Sequence, residues 1–343
     1  MSQEEKSTRR LARTVNWETI LAVLLAIAIV GGGILNKDFL SPENWTNLLA
    51  NFVEIALLAL PLSLIVITKE IDLSVASILG LSSSLLGLLW EAKVSMPLGI
   101  LVCLLAGALA GALNGFLVVR FGLPSLAVTI GTLALFRGFA YVLLGDKAVA
   151  DFPPEYTGFG IGTIPYTFIP SPFALFVILA VVFWLLLHHT TVGRRIYAIG
   201  GNQTAALFSG VNISRLKVSL FIASGVISAL AGIIYTLRFS SSRADNGIGF
   251  ELSAIAAVIL GGVTVQGGRG TITGVVLSLL LIGILNNVLT LADVANEILR
   301  IVTGSLLIVS VLLPNLIAST RERLRLLQRQ REIAKLAAVS TTK

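Results

Sequence analysis

The 343-residue chain contains one cysteine, two histidines and two methionines. Cys103 has no partner for an intrachain disulfide and lies inside a long apolar stretch, so it says nothing about redox compartment. His188 and His189 are adjacent, and the sequence holds neither His-Glu-x-x-His nor Cys-x-x-Cys, which removes two common signatures of metal and thiol chemistry. No lysine follows the glycine pattern of a phosphate-binding P-loop, so any drive from ATP must come from another subunit. Charge is also scarce: charged residues make up 13% of the chain against 55% hydrophobic, and the mean hydropathy is +0.92. A soluble domain of this length has no need of that balance, whereas a chain embedded in lipid does.

A helix crosses the hydrocarbon core with about 20 mostly apolar residues. That ruler finds ten spans: Trp17–Leu35, Leu48–Thr68, Leu73–Trp90, Met96–Val119, Leu123–Leu144, Phe168–Leu187, Val218–Leu237, Leu252–Val265, Thr271–Leu291 and Ile298–Ala318. The fold class expected is therefore an all-α integral membrane protein of about ten transmembrane helices. Short cytoplasmic loops collect Lys and Arg. With the N-terminus inside, the inward segments hold eighteen of the 25 Lys and Arg, the outward ones six, and Arg137 falls within a span. This asymmetry predicts both termini in the cytoplasm. Residues 1–16 then form a cytoplasmic tail and 17–318 a transmembrane domain. Within that domain the loop 188–217 faces inward and the Pro- and Gly-rich loop 145–170 faces outward, and 319–343 form a basic cytoplasmic tail. A cleaved signal peptide does not fit the first span, whose apolar stretch is longer than a typical h-region.

The net charge of +7 resembles that of a nucleic-acid binder, but most of the excess sits in two tails and one loop that face the anionic inner leaflet. The bilayer is the partner this implies, not nucleic acid. The tail Arg321–Leu336 has helical propensity and a basic face, fit either for the membrane surface or for plain solvation.

Inside the spans, Gly107, Gly111 and Gly115 recur every four residues on one helical face, where a neighbouring backbone can approach. Asn114 beside them can hydrogen-bond across helices. Two segments interrupt the apolar pattern: TKEIDLSVAS, residues 68–77, and VQGGRGTITG, residues 265–274. Such breaks are tolerated in a membrane where protein or a water-filled cavity satisfies the backbone, and in transporters they often mark the substrate route. The alternative is a pair of tight turns that only reverse the chain. Glu54 and Arg137 are the clearest charges within spans, and each wants a partner. Either they approach each other or Arg137 reaches a polar cavity.

The loop HHTTVGRRIYAIGGNQTAALFSGVNISRLK, residues 188–217, is the one long, basic, polar stretch between spans. Gly200 and Gly201 break a preceding helix, Asn202 is an N-cap, QTAALFS forms two turns and Gly210 ends them. A short helix held between glycines along the membrane is suited to passing motion from a soluble subunit to the spans.

This segment resembles the cytoplasmic coupling segment of permeases in bacterial ABC importers of the ribose, xylose, rhamnose and autoinducer-2 class. TKEIDLSVAS resembles the Gly-Gly-Ile-Asp-Leu-Ser-Val-Gly segment of that class, LPSLAVTIGTLALFRGFAYVL its fifth-span motif, and AIAAVILGGVTVQGGRGTITG its late glycine-rich segment. In order and spacing the motifs cover roughly Trp45 to Leu291. Lys69 and Glu70 replace the paired glycines of the family, and Ala76 stands where glycine is common.

The resemblance implies a non-catalytic permease of the bacterial inner membrane that pairs with a second copy or a homologous permease. Two ABC ATPase subunits would bind ATP and Mg, this chain holding no cofactor or metal of its own, and a periplasmic sugar-binding protein would deliver substrate. Coupling to the ATPase falls to Arg194, Arg195, Gly200, Gly201, Asn202, Ala206, Ser209 and Gly210. Sugars present hydroxyls, so a route needs hydroxyl and amide partners. Asp72, Ser74, Thr129 and Thr132, with Asn114 and Asn287, are the candidates, and polar packing between helices accounts for each of them as well. The rival reading is a self-sufficient carrier or channel.

Overall fold

Residues 16–294, together with isolated positions between 298 and 312, are described by a computed structural model of the chain. The described residues are helical throughout, with turns and two isolated β-bridges between the helices. The helices are α1 (Trp17–Leu35), α2 (Pro42–Asn51), α3 (Val53–Ile67), α4 (Val75–Glu91), α5 (Met96–Phe121), α6 (Ser125–Leu144), α7 (Pro154–Ile161), α8 (Ser171–His189), α9 (Thr191–Gly201), α10 (Gln203–Phe208), α11 (Ile213–Phe239), α12 (Phe250–Leu260) and α13 (Ile272–Leu291). Six of them (α1, α5, α6, α8, α11 and α13) are long and apolar enough to cross a membrane, and α2 with α3, bent by 44°, makes up to seven if the pair is one span. The apolar helices α4 and α12 are shorter. Nine of the ten expected spans overlap these helices, but only six, or seven with the bent pair, have the length and apolarity of a span, and α4 and α12 fall short of it. The tenth, Ile298–Ala318, and both tails lie outside the continuously described residues.

Boundaries differ where a helix outruns its apolar stretch. α11 begins at Ile213, so Arg215 and Lys217 belong to a helix and not to the preceding loop, and it ends at Phe239, past Arg238. α12 stops at Leu260, five residues before the expected end, because Gly261 and Gly262 follow and Gly262 takes a φ of 89°.

The helix α3 is apolar all round and, Ile55 apart, every one of its residues is buried, as expected of a helix surrounded by protein. α1 is its opposite: Val23, Ile27, Val30 and Ile34 face outward, and the helix rests mainly on α13. The most extensive helix pairing joins α5 to α11. There the predicted glycine face is the contact surface. A methyl group on Gly111 would collide with the Phe221 carbonyl, one on Gly107 with the Gly225 carbonyl, and one on Gly225 with the Gly107 carbonyl. The two backbones touch with no side chain between them.

The buried charges find partners that the sequence did not indicate. Glu54, fully buried near the start of α3, accepts two hydrogen bonds from Arg238 on the last turn of α11, at 2.8 and 3.2 Å. Arg137 on α6 does not approach Glu54. Its guanidinium donates to the carbonyls of Ala76, Ala244 and Asn246, at 3.0, 2.5 and 2.9 Å. It thereby satisfies backbone acceptors at the start of α4 and in the turn between α11 and α12.

Candidate coupling and translocation site

The bundle has two ends, one carrying α9 and α10 and the other carrying α7. At the α10 end the chain leaves α8 through Thr190, whose hydroxyl accepts from the backbone N–H of Val192 and Gly193 and so starts α9. α9 closes at Gly201. Asn202 then caps α10 by accepting from the Ala205 N–H at 3.0 Å, and Gly210, with φ 78°, follows its end. The six-residue helix is seated by Ala206, which is 3% exposed, while Leu207 and Phe208 stand 59% and 86% exposed. Arg194, Arg195, Asn202 and Ser209 are exposed as well. Leu207 and Phe208 were not singled out from sequence, although two large apolar residues beside a glycine terminator were a usable signal.

Both interruptions of the apolar pattern converge on this loop. The N–H of Gly268, in the turn between α12 and α13, donates to the carbonyl of Ile67 at the end of α3, at 2.9 Å. A methyl group on Gly200 would collide with that same carbonyl and with the Gly268 backbone, and one on Gly268 would come within 3.0 Å of the Gly201 backbone. Three segments thus meet backbone to backbone, which only glycine permits. Tyr197 of α9 donates from its hydroxyl to the Gly270 carbonyl at 2.6 Å. Burial pushes that hydroxyl's pKa up, which keeps the proton it donates. Lys217 at the base of α11 meets Glu70 at 2.5 Å, both mostly buried, so one of the charges standing in place of the family's glycines is spent on an ion pair to α11.

Beyond Glu70 the chain enters a closed polar knot. Asp72, Ser74, Asn114 and Ser224 are each fully buried. Asp72 accepts from the backbone N–H and the hydroxyl of Ser74 through one carboxylate oxygen, at 3.0 and 2.7 Å, and from the Ser224 hydroxyl through the other, at 2.8 Å. Asn114 donates to the Ser74 hydroxyl at 2.7 Å. Thr129 of α6 donates to the Ile71 carbonyl at 3.2 Å, the Ser125 hydroxyl accepts from the Ile71 N–H at 3.0 Å, and Thr132 lies on the next turn of α6. Five of the six expected route residues therefore belong to one region joining α4, α5, α6 and α11. Asn287 stands apart: it exchanges two amide hydrogen bonds with Asn44, at 2.8 and 3.0 Å, where α13 meets α2. Ser224 and Ser125 were missed from sequence, since serines among small residues on apolar helices look like packing.

The arrangement holds two parts that can act together. An exposed short helix is fixed through glycine backbones to the end of α3, and a polar knot begins five residues beyond that point.

Residues 44–311 match the family described as branched-chain amino acid transport system / permease component. The autoinducer 2 import system permease protein LsrD of Escherichia coli strain K12 is 37% identical over 301 residues, covering 86% of this chain and 91% of that protein. The LsrD proteins of Escherichia coli O9:H4 and Shigella flexneri are similar to the same extent. No solved structure matches the chain.

Proposed function

The chain belongs to the permease-component family of branched-chain amino acid transport systems and is a multi-pass inner-membrane protein, and on that premise we propose that it is the membrane subunit of an ATP-driven importer of a small sugar-like molecule. The similarity to LsrD favours the autoinducer-2 class, with rhamnose and ribose as the neighbouring classes. On this reading the chain crosses the membrane ten times, with both termini and α10 in the cytoplasm and α7 on the periplasmic side. ATP and Mg are held by separate ATPase subunits that dock on α10. A second copy or a homologous permease completes the route, and a periplasmic binding protein loads it at the α7 end.

The observation that carries this reading is the seating of α10. Ala206 anchors it, Phe208 stands in water, and the neighbouring Gly200 touches the backbone at the end of α3 and in the α12–α13 turn. A push on α10 is delivered to both breaks in the spans at once, with no flexible side chain to absorb it. In the closed knot Ser74 and Ser224 satisfy Asp72 and Asn114 donates to Ser74, while the buried Asn114 carbonyl oxygen has no partner among the described residues. Parting α6 from the segment that carries Asp72 and Ser74 breaks the bonds of Ser125 and Thr129 to Ile71 and frees their hydroxyls for a sugar's hydroxyls.

The test is purification of the tagged chain in mild detergent from its native host, with identification of co-eluting proteins and an ATPase assay. An ATP-hydrolysing subunit is expected to co-elute. Gly201→Pro with Ala206→Arg should abolish uptake while the protein still inserts. A chain that elutes alone and moves solute into liposomes without ATP defeats the reading in favour of a self-sufficient carrier.

A further inference from the structure

α10 is not the only element that the α10 end presents to water. In the turn between α12 and α13, Val265 is 40% exposed, and Gln266 and Arg269 are exposed beside it. A turn that merely reverses the chain needs neither an outward apolar side chain nor a rigid frame, and this one has both. The Thr264 N–H donates to the Arg269 carbonyl at 3.2 Å, the Gly267 N–H to the Thr264 carbonyl at 2.8 Å, and the Thr264 hydroxyl to the Gly267 carbonyl at 3.1 Å. Gly267, Gly268 and Gly270 hold φ values of 77°, 74° and 137°, which bend the tip outward in a shape closed to other residues.

The frame is tied down from three sides. Tyr197 holds Gly270 and Ile67 holds Gly268, as described above. From α1, Trp17 donates to the Leu260 carbonyl at 2.7 Å, and Glu18 accepts from the Thr271 hydroxyl at 2.5 Å. Because Gly268 lies against Gly200 and Gly201, the tip and α10 form one continuous surface with no mobile linker between them. That surface is basic: Lys69, Arg194, Arg195 and Arg269 are all exposed, against the partly exposed Glu18, whereas Glu70 is neutralised by Lys217.

We propose that the glycine turn, through Val265, Gln266 and Arg269, is a second docking point for the ATPase subunit beside α10, and that it takes an acidic patch of that subunit. This rests on the reading of the chain as an ATP-driven permease. Continuity with α10 and the surplus of positive charge select this occupant over a second copy of the chain, which would carry the same basic surface. Two points of contact fix the orientation of the partner, where a single six-residue helix leaves it free to swivel. They also connect the ATPase to α13 through the turn and to α11 through α10.

Cross-linking tests it. The single cysteine is first removed as Cys103→Ser, and Phe208→Cys or Gln266→Cys is then introduced into the permease in membranes that contain its partner. A short thiol-to-amine cross-linker is applied after the ATPase has been photolabelled with 8-azido-ATP. A labelled adduct is expected from both positions, and Arg269→Glu should lower ATPase recovery on the purified permease about tenfold. A labelled adduct from position 208 alone, with Arg269→Glu recovering the ATPase as wild type does, overturns the second docking point and leaves the importer reading intact. Labelling of position 266 by a photoreactive anionic lipid in place of the ATPase also overturns it, and no labelled adduct at either position overturns both.

Discussion

Glu54 with Arg238 and Glu70 with Lys217 tie α11 at its two ends, the first to the start of α3 and the second to the turn that follows α3. At the α7 end the link is multivalent. Arg238 gives two hydrogen bonds to Glu54 and one to Asn51, and it lies 4.1 Å over the Phe239 ring. At the α10 end a lysine makes one contact to Glu70, just past a residue, Lys69, held at a φ of 69°. A guanidinium fork fixes orientation as well as distance, whereas an ammonium fixes distance alone. α11 is therefore clamped at the α7 end, which the proposed function makes the side of substrate entry, and only tethered at the α10 end, which it makes the side of the ATPase. An importer needs that difference, since the driven end must change its arrangement and the far end must transmit the change.

The largest expected effect lies at the clamp. Glu54→Ala leaves Arg238 buried without its carboxylate and should cost about 3–5 kcal/mol, read as a lower melting temperature in detergent. Glu54→Leu with Arg238→Met should recover most of that loss. At the tether, Glu70→Gln should cost about 1.5–3 kcal/mol at most, yet it should impair uptake per ATP hydrolysed more than any clamp variant of equal stability. Equal losses of stability and coupling at the two ends would erase the distinction. Next comes a paired substitution at adjacent glycines. Gly200→Ala meets the Ile67 carbonyl and should depress uptake severalfold at unchanged expression, while Gly201→Ala, with open space around it, should transport as wild type does. The smallest effect belongs to Arg243 and Asp245, an exposed pair at 2.8 Å in the turn after α11. The Arg243 hydrogen bond holds the Asp245 carboxyl below the usual carboxylate range, so its slight stabilisation is present at neutral pH and fades as pH falls through that lowered value. Melting curves of wild type and Arg243→Gln should differ a little at pH 7 and converge in acid.

Local chemistry was legible in the sequence, and distant pairing was not. The ends of α10 were readable because an N-cap and a terminating glycine act within a few residues. The α5 glycine face was readable because its period is that of a helix. Glu54 was the failure. Arg137 was its apparent mate because it lay within a span, and Arg238 was passed over because the seventh span was ended one residue before it. The true partner is 184 residues away, Ser224 is 152 from Asp72 and Lys217 is 147 from Glu70. Nothing local marks such pairs. Lys69 and Glu70 were visible as departures from the family's glycines, but that Glu70 is held by α11 required the fold. The two interruptions of the apolar pattern were each visible, and their meeting at Gly200 was not.

One helix reaches the clamp, the tether, the polar knot and the glycine seam alike. α11 starts three residues past Gly210, runs for 27 residues without a break and ends at Arg238 and Phe239. At 1.5 Å per residue it is a rod about 40 Å long. Pivoted on the bare backbone of α5, with no rotamers to give way, it works as a beam: a tilt of about 5° around Gly225 would displace its far tip, about 21 Å away, by about 1.8 Å. The glycines at positions 107, 111 and 225 are its fulcrum.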